Sequence, residues 1–163
     1  MSTLTRVSEE HRRRLASHVE RLSLLADEIG REPWAGVSAG LAAEHEFLMS
    51  TLVPHMQAVE EAVHTEMDRL LSCRLGMEPL DREHVEIRRL IDHLGELAAA
   101  TGTTEPAPGE AIEMNRVLVK LHSILKVHLR EEALYLPILE HNLTAAQAES
   151  IAAAMHHAAR VEL

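Results

Sequence analysis

The chain has 163 residues, of which 46% are hydrophobic and 26% are charged, and it carries a formal net charge of −10. A chain of this length suits one domain, residues 1–163, and its acidic balance argues against nucleic-acid partners, whose phosphates attract clustered Lys and Arg. No apolar run approaches the roughly 20 residues that span a bilayer, and nothing near Met1 resembles a signal peptide. Because Cys73 is the sole cysteine, no internal disulfide can form, and we expect a cytoplasmic protein without a membrane partner.

Aromatic residues make up only 2% of the chain, which favours a helical core of aliphatic side chains over a sheet. Apolar residues recur every three or four positions in several segments, which is the period of a helix with one buried face. The predicted main helices cover residues 8–29, 41–75, 81–97 and 110–135. We therefore predict an all-α fold, an antiparallel up-down-up-down four-helix bundle with a short extra C-terminal helix.

Glycine and proline mark the predicted boundaries of these helices. Gly30 ends the first helix, and residues 31–40, which contain proline and glycine, are predicted to form a connection. Pro54 should bend or divide the second helix, because proline removes one backbone hydrogen bond. Asp81 is a candidate cap for the third helix, and residues 101–109 are typical of a loop.

The C-terminal region carries a bend signal and a capping signal. Pro137 marks a bend near the end of the fourth helix, and Thr144 with Gln147 forms a capping box that opens a short helix to Ala159. The apolar residues of this last helix either cap the bundle or form the seam of a homodimer. These residues are Ile151, Ala154 and Met155.

Histidine is the unusual feature of the composition, since twelve are present. In a helical bundle, a metal site is made by ligands that project inward from facing helices. One histidine of each main helix falls at inner-face spacing, namely His18, His55, His84 and His128. A single histidine of this kind is more often a satisfied core residue than a ligand, but burying the whole set without partners is costly. The set therefore predicts a metal site.

Glu132 and Tyr135 follow His128 on the same predicted helical face. Glu132 lies four residues after His128, about 40° around the helix, so that imidazole and carboxylate can reach a common ion. This pair of nitrogen and oxygen donors suits iron or manganese. Tyr135 is a candidate hydrogen-bond donor outside the ligand set, or a ligand itself. His11 is expected in a polar, frayed first turn, and His64 has no partner pattern of its own.

The chain resembles the hemerythrin-like, or HHE cation-binding, family over nearly its whole length. The segments that carry the resemblance are LASHVERLSLLADEI (15–29), LVPHMQAVEEAVH (52–64), DREHVEIRRLIDHL (81–94) and LHSILKVHLREEALYLPIL (121–139). The resemblance implies a four-helix bundle with a carboxylate-bridged di-iron centre, in which the second and fourth helices each supply a His and a Glu. The positions that match the family's ligands are His18, His55, His84, His128 and Glu132.

The carboxylate of the second helix departs from the family pattern. The family has Glu four residues after the histidine, where this chain has Val59. Glu60 comes one residue later, and it would reach the site if Pro54 or a π-bulge distorts the helix. His64 lies four residues after Glu60, so a rearranged ligand set is an alternative.

The resemblance implies a non-haem metal protein, with two iron ions as the expected cofactor and a single ion, manganese or zinc as alternatives. The expected partner is a small ligand such as O2, peroxide or nitric oxide, in sensing, carriage or detoxification. The sequence leaves an enzyme and a carrier or sensor equally open. A metal-poor helical bundle that acts as a binding or regulatory module is the alternative that Val59 favours, and an iron-buffering protein is a third.

Overall fold

The structure, a computed structural model, describes residues 3–71 and 76–160. These residues form helices and no strand, which confirms the all-α prediction. Cys73 and the predicted end of the second helix at Leu75 lie outside the described residues. None of the helices in the described ranges is long and apolar enough to cross a membrane.

The helices follow one another closely along the chain. They are α1 (Thr3–Glu28), α2 (Trp34–Phe47), α3 (Val53–Ala58), α4 (Thr65–Leu70), α5 (Glu78–Thr101), α6 (Pro108–Asn142) and α7 (Ala145–Arg160). Two π-helical segments, Leu48–Leu52 and Val59–His64, join α2 to α3 and α3 to α4. Because the residues at these junctions keep right-handed helical dihedrals, residues 34–70 form one continuous helical segment.

The boundary between α1 and α2 is partly as predicted. Gly30 adopts a φ of +75° just after α1, a conformation that glycine tolerates best, so the predicted stop is confirmed. The prediction that residues 31–40 form a connection is wrong, because α2 begins at Trp34. Gly40 serves packing instead, since a Cβ atom there would lie 2.8 Å from the Cδ2 atom of Leu25 on α1.

Two further boundary predictions are wrong and one is confirmed. Asp81 does not cap a helix, because α5 begins at Glu78, one turn earlier. The predicted end of the fourth helix near Tyr135 is wrong, since α6 continues through Pro137 to Asn142 and buries Leu139 in the turn that follows the proline. The capping box is present, because the backbone N–H of Thr144 donates to Gln147 Oε1 at 3.0 Å and the N–H of Gln147 donates to Thr144 Oγ1 at 3.3 Å.

The helices pack around two apolar clusters. α1 contacts α6 and α2, and α5 contacts the same two helices, so that the contacts close a ring. The larger cluster, here called the apolar core, comprises Leu15, Val19, Leu22, Leu25, Ala26, Val37, Leu41, Leu48, Leu52, Met56, Ile87, Leu90, Ile91, Leu94, Met114, Val117, Leu118, Leu121 and Leu125. Each large aliphatic side chain buried there contributes roughly 1.5–3 kcal/mol of hydrophobic free energy.

The smaller apolar cluster forms where α7 packs against α1, α3 and the second π-helical segment. Its buried members are Val59, Val63, Met67, Met77, Leu80, Leu139, Ile151, Ala152 and Met155. Ile151 and Met155 are therefore buried within the chain, which agrees with the capping alternative for α7, whereas Ala154 is exposed. The sequence also predicts Val85 on the apolar face of the third helix and Met49 as core filler, and both predictions are wrong, since the two side chains are exposed.

Candidate metal site

His84, His128 and Glu132 meet between α5 and α6, beside the two apolar clusters. The Nε2 atoms of the two histidines lie 2.8 Å apart, and Glu132 Oε1 lies 3.2 Å from His128 Nε2. Both imidazoles are almost completely buried. One donor atom from each of the three residues lies within 4.8 Å of the other two, so the group could hold a metal ion.

A carboxylate holds the outer nitrogen of each of these histidines. Glu60 Oε1 lies 2.7 Å from His84 Nδ1, and Glu83 Oε2 lies 2.8 Å from His128 Nδ1. A carboxylate only accepts hydrogen bonds, so both Nδ1 atoms carry the proton and donate it. In general, a carboxylate that accepts from the outer nitrogen of a metal-binding histidine fixes the tautomer and the orientation of the ring.

The consequence for the inner nitrogens is electrostatic. In a neutral ring with a proton on Nδ1, Nε2 presents a lone pair, so two lone pairs would face each other at 2.8 Å. Either a proton or a metal cation between them removes this repulsion. Two nitrogens bound at right angles to one ion, with bonds of about 2.05 Å, lie about 2.9 Å apart, close to the separation found here.

The pKa values of the two histidines show where the proton resides without a metal. Burial, with the neighbouring His128, lowers the pKa of His84 to about 3. Burial also acts to lower the pKa of His128, but its hydrogen bonds to Glu132 and Glu83 outweigh burial and raise the pKa above its ordinary value of 6.5. Of the two rings, His128 therefore takes up a proton more readily, and a bound metal ion would displace that proton.

Glu132 faces two histidines with its two oxygens. Oε1 accepts from His128, and Oε2 lies 3.8 Å from His55 Nε2. Burial acts to raise the pKa of Glu132, but the hydrogen bond from His128 and the charges of His128 and His55 outweigh it and hold the pKa well below the ordinary value. The carboxylate is thus ionised at neutral pH and stands between two imidazoles.

His55 and His11 form a second histidine pair on the other side of Glu132. His55 is 3% exposed, and neither of its ring nitrogens has a hydrogen-bond partner. The ring centre of His11 lies 4.1 Å from that of His55, and His11 Nε2 also lacks a partner. Burial, with the charge of His55, lowers the pKa of His11 to about 3, so the ring is neutral and one of its nitrogens presents a lone pair. The prediction that His11 lies in a frayed first turn is wrong, since it is buried within α1.

His18 lies apart from this group. Its Nδ1 atom contacts both carboxylate oxygens of Glu44 at 3.1 and 2.9 Å, and its ring stacks on Phe47 at a centre-to-centre distance of 3.4 Å. The His18 side chain is about a third exposed. His11, seven residues earlier on the same helix, lies beside His55 instead.

Glu60 reaches the site through the second π-helical segment, Val59–His64. The wider turn rotates Glu60 toward α5, while Val59 is buried in the smaller apolar cluster. Arg88 donates to both carboxylate oxygens of Glu60 at 2.9 and 3.0 Å and holds that side chain in place. Glu60 thus contacts the outer nitrogen of His84 and not the inner one.

A cavity of about 30 Å³ lies beside His11, His55 and Glu132. Tyr135, His64 and Met155 also line it, so Tyr135 is near the site as predicted from its spacing. His64 is buried, its ring centre lies 5.3 Å from that of His84, and its Nδ1 atom lies 2.6 Å from Asp81 Oδ1. The spacing of His64 from Glu60 was the signal that could have marked it.

No protein-family model, curated protein or solved structure matches this chain significantly. The function of the chain is therefore inferred from the chemistry of its side chains. The donor set fits a first-row transition metal, because it combines two buried imidazoles with a carboxylate whose donor atoms lie close together.

Proposed function

We propose that the chain is a hemerythrin-like protein that holds iron between its helices and binds or reacts with a small ligand such as O2, peroxide or nitric oxide. In this proposal the ring of contacts among α1, α2, α5 and α6 is an antiparallel up-down-up-down four-helix bundle, and α7 is the extra helix. The lone Cys73 of the sequence favours a reducing, cytoplasmic location.

The observation that carries the proposal is the approach of the inner nitrogens of His84 and His128 to 2.8 Å while carboxylates hold both outer nitrogens. A histidine pair with a purely structural role needs only one hydrogen bond between its rings and does not need a carboxylate on each outer nitrogen. Anchored imidazoles with a carboxylate beside them are the usual surroundings of a catalytic or carrier metal. Imidazole and carboxylate donors suit iron, with manganese and zinc as alternatives.

The number of ions follows from the two oxygens of Glu132. One oxygen faces His128 and the other faces His55, whose nitrogens are buried without partners beside His11. An unpartnered buried polar atom is costly, and a second ion would use these nitrogens. We therefore infer two ions that share Glu132, one held by His84 and His128 and the other by His55 and His11. In this assignment His18 is not a ligand.

The bound iron would supply the capacity to bind and exchange electrons with a small oxygen or nitrogen species. The chain's own residues shape the surroundings of that species: Val59, Val63 and Met155 line the cavity with apolar surface, and Tyr135 brings a hydroxyl to it. An apolar wall limits water access, and the hydroxyl can donate a hydrogen bond or a proton.

Elemental analysis of the purified chain after anaerobic exposure to ferrous iron tests the proposal. We expect about two irons per wild-type chain, as in di-iron bundles of this kind. His128→Ala should lose nearly all of this iron, whereas His18→Ala, which removes a histidine of the same type on a neighbouring helix, should retain it.

Other outcomes select the alternatives. One iron per chain would indicate that only the site of His84 and His128 binds an ion. Iron that exchanges freely and does not react with peroxide would indicate buffering. Wild-type protein without metal under these conditions would contradict the proposal and leave a helical binding or regulatory module.

A further inference from the structure

We propose that the cavity takes a small anion, which reaches it along the groove between α1 and α6 and is held there by Arg12. The inference deepens the proposed function, on which it rests, because it selects a charge class of ligand among the small species named above. The evidence for it comes from the side chain of Arg12, which is not one of the proposed metal ligands.

Arg12 lies at the boundary between the inner cavity and an outer groove. It lines the cavity together with His11 and Glu132, and it also lines the groove. Its Nε atom is buried and has no hydrogen-bond partner among the described residues. An arginine Nε–H is a donor only, so a metal ion cannot satisfy it. The missing partner must be an acceptor, such as an oxygen or nitrogen of a small anion.

The groove carries positive charge on an acidic chain. Arg12, Lys126 and Arg130 line it, and Lys126 is paired with Glu20 at 2.9 Å. Within the described part of the chain, neither Arg12 nor Arg130 forms an ion pair. Free guanidinium groups along a groove raise the local concentration of anions, whereas the net charge of −10 repels them elsewhere. Glu20, the partner of Lys126, also lines the groove, and the remaining wall is apolar, with Val19, Leu129 and Leu134 among its residues.

The size of the cavity limits the anion. A volume of about 30 Å³ exceeds that needed for one water molecule and accommodates a species of about two or three heavy atoms. Azide, nitrite, hydroperoxide (deprotonated hydrogen peroxide) and superoxide (dioxygen reduced by one electron) are of this size, whereas phosphate and organic acids are larger. The ionised Glu132 faces the same cavity and repels an anion, so we expect strong binding only when a metal cation offsets that charge.

The test measures azide binding to iron-loaded protein by the shift of the azide antisymmetric stretch in the infrared. Three proteins are compared at equal ionic strength: wild type, Arg12→Gln and Arg13→Gln. Arg13 is the matched control, because it is the next residue on α1, is exposed and lines neither the cavity nor the groove. Elemental analysis of each sample gives the iron content by which the bound azide is normalised.

We expect Arg12→Gln to weaken azide binding about tenfold or more, the usual effect of losing a hydrogen bond to a charged group, while its iron content stays that of wild type. Arg13→Gln should bind azide as wild type does. Arg130→Gln should slow azide association about twofold to threefold at low ionic strength, and the difference should vanish in high salt. Arg12→Lys, which keeps the charge without the Nε–H donor, should lose affinity to an intermediate degree and serves if Arg12→Gln does not fold.

Equal azide affinity in Arg12→Gln and Arg13→Gln, with iron present in both, would overturn the anion inference and leave the proposed metal site intact. Wild-type protein that holds no iron would overturn the proposed function and this inference with it. The two failures are distinguished by the iron content alone.

Discussion

The apolar core and the histidine site are built on the same helices, yet they differ in how their side chains are satisfied. α1 supplies Leu22 to the core and His11 to the site, and α6 supplies Leu118 and His128 in the same way. The core side chains need only contact with one another. At the site, His11 and His55 are buried with ring nitrogens that have no partner. The core therefore supplies most of the stability of the fold, whereas the buried nitrogens of the candidate site lower stability and are the groups available for chemistry.

The backbone differs between the two regions as well. α5 and α6, which carry much of the core, are regular along their whole length. Beside the site, the second helical segment widens into the π-helical turn Val59–His64. π-helical turns are rare and often occur at functional sites, because they accommodate one additional residue and redirect the side chains that follow. Here the redirected residue is Glu60.

The largest expected effect separates the two regions by stability. Leu118 is fully buried in the apolar core, so Leu118→Ala should lower the free energy of unfolding by about 2–5 kcal/mol through lost burial and a residual cavity. Its iron content should remain that of wild type, because Leu118 belongs to the apolar core and lies about 15 Å before His128 along α6. Urea denaturation and elemental analysis check the two quantities. A parallel loss of iron would contradict the division between core and site.

A second, smaller effect separates the regions by pH. In metal-free protein the pKa of His11 is about 3, whereas an unfolded histidine titrates near 6.5. Between these values the unfolded chain binds the additional proton, so this contribution to stability is complete above pH 6.5 and is lost as the pH falls toward 3. His11→Leu should reduce the loss of stability by up to about 1.4 kcal/mol per pH unit within this window.

Urea denaturation of metal-free wild type and of His11→Leu, at about pH 7, 5 and 4, measures this difference in the pH dependence of stability. Leu118→Ala is the matched control, since it should lower stability by a similar amount at every pH. The lowered pKa of His84 also makes the fold less stable as the pH falls, as that of His11 does. The raised pKa of His128 has the opposite effect, because the folded chain holds that proton more tightly and gains stability as the pH falls through this pKa. Equal slopes in wild type and His11→Leu would show that His11 is accessible to protons in the folded chain.

The smallest expected effect concerns the π-helical turn. Deletion of Val59 removes one residue from Val59–His64 and lets the segment become a regular α-helix, with Glu60 then four residues after His55. We expect the variant to keep its iron and to lose about 1.5–3 kcal/mol of stability, from one buried Val side chain. Thermal unfolding followed by circular dichroism, together with iron analysis, checks this result.

Deletion of Val85 is the matched control for this variant. Val85 is exposed on the regular helix α5, so its removal costs little burial but turns His84 by about 100° relative to the residues that follow. Its iron should therefore be lost. If both deletions lose iron, the second π-helical segment is not a one-residue insertion into an otherwise regular helix.

The sequence was sufficient for the helical class and for much of the site, for reasons that individual residues make clear. His84 and His128 lie on strongly periodic segments, and the fixed spacing of His128 and Glu132 put both on one face. The spacing of residues along a helix predicts which face of the helix they share, but not the level along the bundle at which each one meets another helix. His11 and His18 share one face of α1, so only the packing of α2, which starts at Trp34, decides that His18 meets Glu44 while His11 meets His55.

Other misses have similarly local causes. Val85 and Ile87 are two residues apart, about 200° around a helix, so both could not face the core, and the structure buries Ile87. The π-helical turn has no signal in composition, because its residues also suit an α-helix. The unpaired nitrogens of His55 depend on contacts among three helices, and no spacing within one helix reveals them.

The position of α7 has a consequence for the order in which the protein is assembled. Met155 on α7 forms part of the cavity wall, yet every residue proposed to bind metal precedes α7 in the chain. During synthesis, the ligand-bearing helices therefore leave the ribosome before the helix that closes over them. If the proposed residues bind metal, an ion could reach them in this interval, and loading would not require the finished fold to open.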